Sequence, residues 1–220
     1  MPPDTFARLE RDLKRVSLKH GAALLEPGEP IGTVYFPQTG LISLTVVSRN
    51  GDTLETSIIG REGALGLATA FGKRRSYTRA TAQIGGNFST IGAERFERIV
   101  NDSAPVRNLI LRYTEMLLED AQQIAACNAM HSASARLSRW LLQSGDRTGS
   151  DELPLIQVFL AQMLGVRRTT VTMLAHGMQA SGLIQYRRGH IKILDRKGLE
   201  ECACECYDVM RRERHPRDVD

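Results

Sequence analysis

The stretch from Leu160 to Leu194 reads LAQMLGVRRTTVTMLAHGMQASGLIQYRRGHIKIL. Its first half predicts two short helices broken at Gly165, the residue type that most readily takes a left-handed turn. Leu160, Ala161 and Leu164 share one face of the first helix. Val171, Leu174 and Met178 share one face of the second, at helical spacing. Ala161, four residues before the glycine, is small enough to let the helices cross closely. Arg167, Arg168, Thr169, Thr172, Met173 and His176 then point away from the core. No Asp or Glu occurs between Pro154 and Leu194, in a chain that is 25% charged. This pattern is a helix-turn-helix with a basic, hydroxyl-rich outer face.

Such a face predicts duplex DNA as its partner. Arg167, Arg168, Arg187, Arg188 and Lys192 would release counterions on docking against a line of phosphates. A helix fits the major groove, where Arg or hydroxyl side chains in its first turn reach base edges. After Gly182, Ile184 and Tyr186 alternate with polar residues, as do Ile191 and Ile193, about a turn at Arg187-Arg188-Gly189-His190. That is a β-hairpin with a basic tip, a wing behind the recognition helix. The competing reading is a solvated helix pair inside some other α-domain; spacing, charge and wing together favour the reader.

The 220 residues suffice for two small domains, and the net charge of +4 makes the basic character local rather than general. No apolar run reaches the ~18 residues needed to cross a bilayer, so no membrane partner is expected. The start, MPPDTFARLERDLKR, lacks the apolar core of a secretory signal. Four cysteines in an unexported chain should be reduced thiols, and the expected location is cytoplasmic.

Residues 1 to about 20 read as an amphipathic helix, with Phe6, Leu9, Leu13 and Val16 at helical spacing. Short apolar runs follow at Ala22–Leu25, Thr33–Phe36, Leu41–Val47, Thr53–Ile59, Ala80–Ile84 and Phe88–Ile91. Asn50-Gly51 between two of them is a strong hairpin signal. Many short strands with regular turns predict a sandwich, barrel or jelly roll. Between them, Gly60-Arg61-Glu62-Gly63-Ala64-Leu65-Gly66-Leu67 reads as a turn entering a brief helix, with amides free to hold an anion. Helical texture returns at Ala93–Val100. It resumes after Ser103-Ala104-Pro105, a capping residue and a proline suited to a helix start. From Val106 to Asn128 a narrow stripe runs Ile110, Tyr113, Leu117, Ala121, Ile124, as in a helix paired with one partner. Packing on the chain's own sheet is the other reading of that stripe. Met130-His131-Ser132 is the expected hinge, Leu137, Trp140 and Leu141 begin the reader's core, and 146–151 is a polar loop.

Pro27-Gly28-Glu29-Pro30, Val34-Tyr35-Phe36, Gly40, Asn50-Gly51 and Gly63-Ala64-Leu65-Gly66 resemble the pattern of the cyclic-nucleotide-binding jelly roll. Followed by a winged helix-turn-helix, the chain resembles the CRP/FNR family of transcription regulators over about residues 18 to 200. The resemblance implies an α+β chain in three parts. These are a sensor jelly roll over 1–103, a dimerisation helix and hinge over 104–131, and a winged DNA-binding domain over 132–220. It makes the stripe Ile110, Tyr113, Leu117, Ala121, Ile124 the dimer seam. Two recognition helices about one DNA turn apart would then read a palindromic operator. RNA polymerase is a further partner implied by the family alone.

Residue by residue, Arg168 matches the arginine that family members place on a guanine, a bidentate geometry. Thr169 stands where cyclic-AMP-responsive members have glutamate and Met173 where they have a second arginine, so the target sequence should differ. Arg167 and Thr170 are expected on phosphate, which positions without specifying. The effector pocket would use Gly63, Ala64, Gly66, Arg75, Ser76 and Gln122. Arg75-Ser76 resembles the family's phosphate-holding pair. Ala64 cannot accept the ribose hydrogen bond that family binders give to glutamate, which argues against cyclic AMP. Iron–sulfur members carry an N-terminal cysteine cluster, and the first cysteine here is Cys127, so neither that centre nor any other cofactor is expected. Cys202, Cys204 and Cys206 follow the plausible N-cap Asp195 inside one helix. Cys204 would there point away from the other two, so the three should pack against the reader core rather than clamp a metal. A thiol switch is the alternative role.

The leading function is thus a homodimeric transcription regulator whose sensor biases the spacing of two recognition helices. The alternative is a small-ligand-binding signalling module that docks on protein, which leaves an acid-free basic wing without a purpose. An enzyme is not expected: there is no Ser/His/Asp or Cys/His set, HExxH or P-loop. His20, His131, His176, His190 and His215 are scattered without ligand spacing.

Overall fold

The alternating runs of the N-terminal half form strands wherever a glycine or polar turn lets them fold back. The computed structural model describes residues 3–72 and 75–214. Helix α1 (Pro3–Asp12) leads into β1 (Lys14–Leu18), β2 (Ala23–Leu25), β3 (Thr33–Pro37), β4 (Leu41–Val47), β5 (Thr53–Ile59), β6 (Arg79–Ile84) and β7 (Gly86–Gly92). Two sheets result, in the orders β1-β7-β3 and β2-β6-β4-β5. Phe88 on β7 shares one apolar cluster with Ile42, Ile59, Ala80 and Ala82, so the sheets pack face to face as a jelly roll. A side chain at Gly40 would meet the Phe88 ring at 2.3 Å, which explains a glycine beside the largest buried ring of this sheet.

The expected helix over residues 1 to about 20 is half right. It ends at Asp12, and Lys14–Leu18 pairs antiparallel with β7, Val16 opposite Phe88. Val16 and Leu18 are half-buried while Arg15 and Ser17 are exposed, a period of two that the helical stripe Leu9-Leu13-Val16 obscures.

After β7, α2 (Ala93–Asn101) and α3 (Ala104–Met130) follow. Pro105 sits in the first turn of α3, and the Ser103 carbonyl accepts the Arg107 N–H. At about 1.5 Å per residue, α3 is ~40 Å long. Its inner face is the stripe read as a dimer seam. Val106 and Ile110 join a core cluster with Leu9, Ile99 and Val100, and Leu117 packs on the Phe88 cluster. Tyr113 lies on Gly63, where a Cβ would come within 1.7 Å of its hydroxyl. Among the apolar residues that α3 leaves outward are Leu111 and Leu118, 44% and 60% exposed, with Leu109 and Met130 also exposed.

The C-terminal half comprises α4 (Ala133–Thr148), β8 (Glu152–Pro154), α5 (Gln157–Leu164), α6 (Arg168–Ala180), β9 (Ile184–Arg187), β10 (His190–Ile193), α7 (Arg196–Cys202) and α8 (Cys206–Arg214). Ser132 caps α4 by accepting the Ala135 N–H, and Gly149 ends it with φ 69°. The loop expected over 146–151 is therefore shorter. Leu153 is buried on β8, which pairs with β10 to give the sheet order β8-β10-β9. Leu137, Leu141, Leu160, Val171 and Ile184 form the interior. Trp140 donates its indole N–H to Glu55 at 2.6 Å, and Arg147 meets Asp120 at 3.2 Å, both nearly out of solvent.

By internal contacts the chain divides into Met1–Leu44 with Ile58–Leu118, and Thr45–Ser57 with Glu119–Asp220. This division by contacts falls inside α3, and it assigns Thr45–Ser57 of the β4–β5 hairpin to the second unit. Among the described residues no helix is long and apolar enough to cross a membrane.

Candidate nucleic-acid interface and a thiol–histidine cluster

Gly165 adopts φ 63°, and the helices on either side present their apolar faces inward. Leu160, Ala161, Leu164, Val171 and Met178 are buried, and Leu174 is half-buried. The rotation of α6 leaves Arg167, Arg168, Thr169, Thr172 and His176 exposed, with Met173 at 66% exposure and Thr170 half-buried. Arg167 is the N-cap residue of α6, so the first-turn amides and two guanidinium groups face the same solvent. Arg168 Nε donates to Gln157 at 3.4 Å, and the Thr172 hydroxyl donates to the Arg168 carbonyl at 3.1 Å.

The wing forms as expected, with Tyr186 opposite Ile191 and Arg187 opposite His190. Its tip is a two-residue turn with Arg188 at φ 49° and Gly189 at φ 80°. Positive φ at both central residues is the mirror-image turn that suits strand twist, which asparagine and glycine favour and arginine does not. Arg187 and Arg188 are exposed. Lys192 is less free than the sequence suggests, because Glu152 on β8 pairs with it at 2.8 Å. That pair holds the Lys192 ammonium pKa above, and the Glu152 carboxyl pKa below, their ordinary values.

The expected effector cradle is largely used by the fold itself. Gly63 N–H donates to the Gly60 carbonyl, and Leu65 N–H to the Tyr35 carbonyl. Ala64 is buried in the core, and Gly66 begins a short 3-10 turn, Leu67–Phe71. Arg75 donates to the Gly28 carbonyl at 2.7 Å, and the buried Ser76 donates to the Thr78 carbonyl at 2.7 Å. Arg75 thereby fastens the loop at residues 27–30, as do the Ser76 backbone bonds to Gly28 and Glu29. Gln122 lies exposed on α3; Ala121 is half-buried and Ile124 buried.

The cysteines depart most from expectation. Asp195 does cap α7, accepting the Gly198 N–H. The helix then stops at Cys202, because Ala203 turns extended at φ −75° and ψ 156°, and α8 restarts at Cys206. Cys204 and Cys206 lie on this break, not on one helix, and both reach Cys127 near the end of α3. Cys127, His131, Cys204 and Cys206 bring four ligand atoms within 4.8 Å of one another. This cluster overturns the expectation of a chain with no cofactor and no iron–sulfur centre, since its residues are positioned to hold a metal. Cys204 and Cys206 are buried with Cys127 against Ala135, as core packing would have them, but they also share the cluster with His131, the one described histidine that joins it. Of the histidines read as scattered, His215 lies outside the described residues.

Cys127 and Cys204 approach to 3.5 Å between sulfurs, and Cys206 Sγ lies 3.6 Å from His131 Nδ1. The hydrogen bond from Cys204 lowers the Cys127 pKa to about 5, helped by the nearby Arg139 charge, and the same bond raises that of Cys204. His131 is raised by its contact with Cys127 and by Glu205, whose Oε1 is 3.0 Å from Nε2. Gln123 donates to Cys206 Sγ at 3.0 Å. Cys202 is exposed and stands outside the cluster. The missed signal was the spacing Cys127-x3-His131 with Cys204-x-Cys206, two short ligand pairs 73 residues apart from His131 to Cys204.

The fold and its outer face define a class: a cyclic-nucleotide-binding-type jelly roll joined to a winged helix-turn-helix. Residues 15–103 match the cyclic nucleotide-binding domain, and residues 135–202 match the Crp-like helix-turn-helix domain. The chain belongs with the CRP/FNR transcriptional regulators. It is 28% identical over 198 residues to the transcriptional regulator SdrP of Thermus thermophilus, covering 86% of this chain and 93% of that protein. A solved CRP/FNR-family regulator from the same organism is similar with a TM-score of 0.62 at 26% identity, over 86% of this chain and 98% of that one. FixK2 from Bradyrhizobium japonicum shares the fold with a TM-score of 0.74 at 16% identity, over 87% and 98%.

Proposed function

We propose that the chain acts as a homodimer that reads a palindromic duplex site through α6, with the wing tips on flanking phosphates. The observation that carries this reading is the outer face of α6. Arg167, Arg168, Thr169, Thr172, Met173 and His176 are exposed on it, and no carboxylate lies between residues 154 and 194. Arg168 is the base-reading residue, bidentate to guanine, while Arg167, Thr170, Arg187 and Arg188 hold the backbone. The dimer forms on the outward stripe of α3 that includes Leu111 and Leu118, not on the inner stripe through Ile110 and Leu117. Changes at the sensor alter the spacing of the two recognition helices, and RNA polymerase is the partner that such positioning would serve.

Selection of duplexes from a random pool by the purified chain, followed by affinity measurements across a salt series, tests the reading. A palindromic consensus and a log–log salt slope of several units are expected. Equal binding to all duplexes, or none, would favour a signalling module that docks on protein.

A further inference from the structure

We propose that Cys127, His131, Cys204 and Cys206 form a tetrahedral site for a single thiophilic divalent ion, zinc, which fastens the end of α3 to the α7–α8 turn. The ligand set is three thiolates and one imidazole, a closed structural zinc combination. Zinc–sulfur bonds of about 2.3 Å give a tetrahedron with edges of about 3.8 Å. The Cys127–Cys204 separation of 3.5 Å and the Cys206–His131 separation of 3.6 Å share no vertex, so they are two opposite edges of that figure. All four ligand atoms fall within 4.8 Å, a compass suited to one ion. A sulfur–sulfur distance of 3.5 Å is too long for a disulfide, which needs about 2.05 Å.

Within this buried cluster, with Ala135 packed against it, polar groups also face the sulfurs and the imidazole. Cys127 and Cys206 are fully buried and Cys204 nearly so. Glu205 takes the Nε2 side of His131, which leaves Nδ1 toward the sulfurs; a carboxylate behind a ligating imidazole fixes its tautomer and raises its basicity. The amide of Gln123 reaches Cys206 as a sulfur-directed donor. Arg139 is 5% exposed and bonded to the neutral Gln143 oxygen. A buried guanidinium needs a counter-charge, and three thiolates around one divalent ion supply a single negative charge beside it. Zinc here would join two segments far apart in sequence. Much of its binding energy would then be folding energy for α7 and α8.

The test uses the full chain purified without chelator. Elemental analysis should find one zinc per chain, and cobalt(II) should give the absorption of a tetrahedral thiolate complex that zinc displaces. In the zinc form one of the four cysteines, Cys202, should react promptly with a thiol reagent, and all four after zinc is removed. Cys202→Ser should keep the metal, whereas Cys204→Ser should lose it. Glu205→Ala should keep one ion per chain with affinity about 10–100-fold lower, the behaviour of a positioning residue. Should Cys204→Ser fail to fold, chelator competition on the unaltered chain still decides. Absence of any bound zinc or cobalt, a Cys127–Cys204 disulfide, or iron with acid-labile sulfide would each overturn the single-ion site. These readouts involve no DNA, so they stand or fall apart from the DNA-binding reading.

Discussion

Two arginines carry different consequences because they sit in different backbone settings. Arg168 opens α6 with an exposed side chain that reaches Gln157 at 3.4 Å, a contact weak enough to yield to a base. Arg168→Ala should cost about 1–3 kcal/mol on the selected site and relax preference at one base pair. Equal loss on every sequence would move Arg168 to the phosphate class. Arg188 sits at φ 49°, where a non-glycine residue is strained by about 1–2 kcal/mol. Asparagine suits that turn better, so Arg188→Asn should raise the melting temperature. The same change removes a cation from the wing tip, so it should lower affinity for all duplexes alike and reduce the salt slope by about one. Calorimetry and a salt titration would separate the two effects. A loss confined to one sequence would mean that the wing reads bases.

The long helix shows how an element can be legible in kind and not in orientation. Its start at Ser103-Ala104-Pro105 and its helical period are plain in the sequence. Which face meets what is not, because α3 carries apolar residues on more than one side. Ile110 and Leu117 pack on the chain's own cores, whereas Leu118, next to Leu117 in sequence, is 60% exposed. Leu118→Asp should therefore abolish the dimer by sedimentation while leaving the monomer's unfolding curve near its original midpoint. Leu117→Asp should instead unfold the chain, by about 2–5 kcal/mol, because it places a charge against a packed core. A dimeric Leu118→Asp variant would show that this stripe is not the seam. The same distinction explains the rest of the comparison. Strands β2 to β7 were readable because glycine and alternation agree there, while β1 was hidden by a helical coincidence of Leu9, Leu13 and Val16. The recognition helix was readable because charge and period agree. The metal-ligand cluster was not, since its assembly depends on Ala203 turning extended and ending α7. A continuous helix drawn through Cys202-Ala203-Cys204-Glu205-Cys206 separates ligands that the break brings together.

At the scale of the molecule, α3 is the helix along which the division between the two units falls, at Leu118–Glu119. Cys127 and His131 lie at its far end, beside Ser132, which starts α4 and with it the DNA-binding half. An ion bound there would tie the end of α3 to the α7–α8 turn within the unit that also carries α6. If the two sites are coupled, thermodynamic linkage requires the effect to be reciprocal. Removing zinc from the purified chain should weaken binding to its selected duplex about 5–150-fold, the usual range of coupling between sites. Saturating the chain with that duplex should then tighten zinc by the same factor, as measured by chelator competition. A non-specific duplex, held only by phosphate contacts, should tighten zinc less. Equal zinc affinity with and without the selected duplex would confine the ion to holding α7 and α8 in place, and would leave control of DNA binding to the jelly roll.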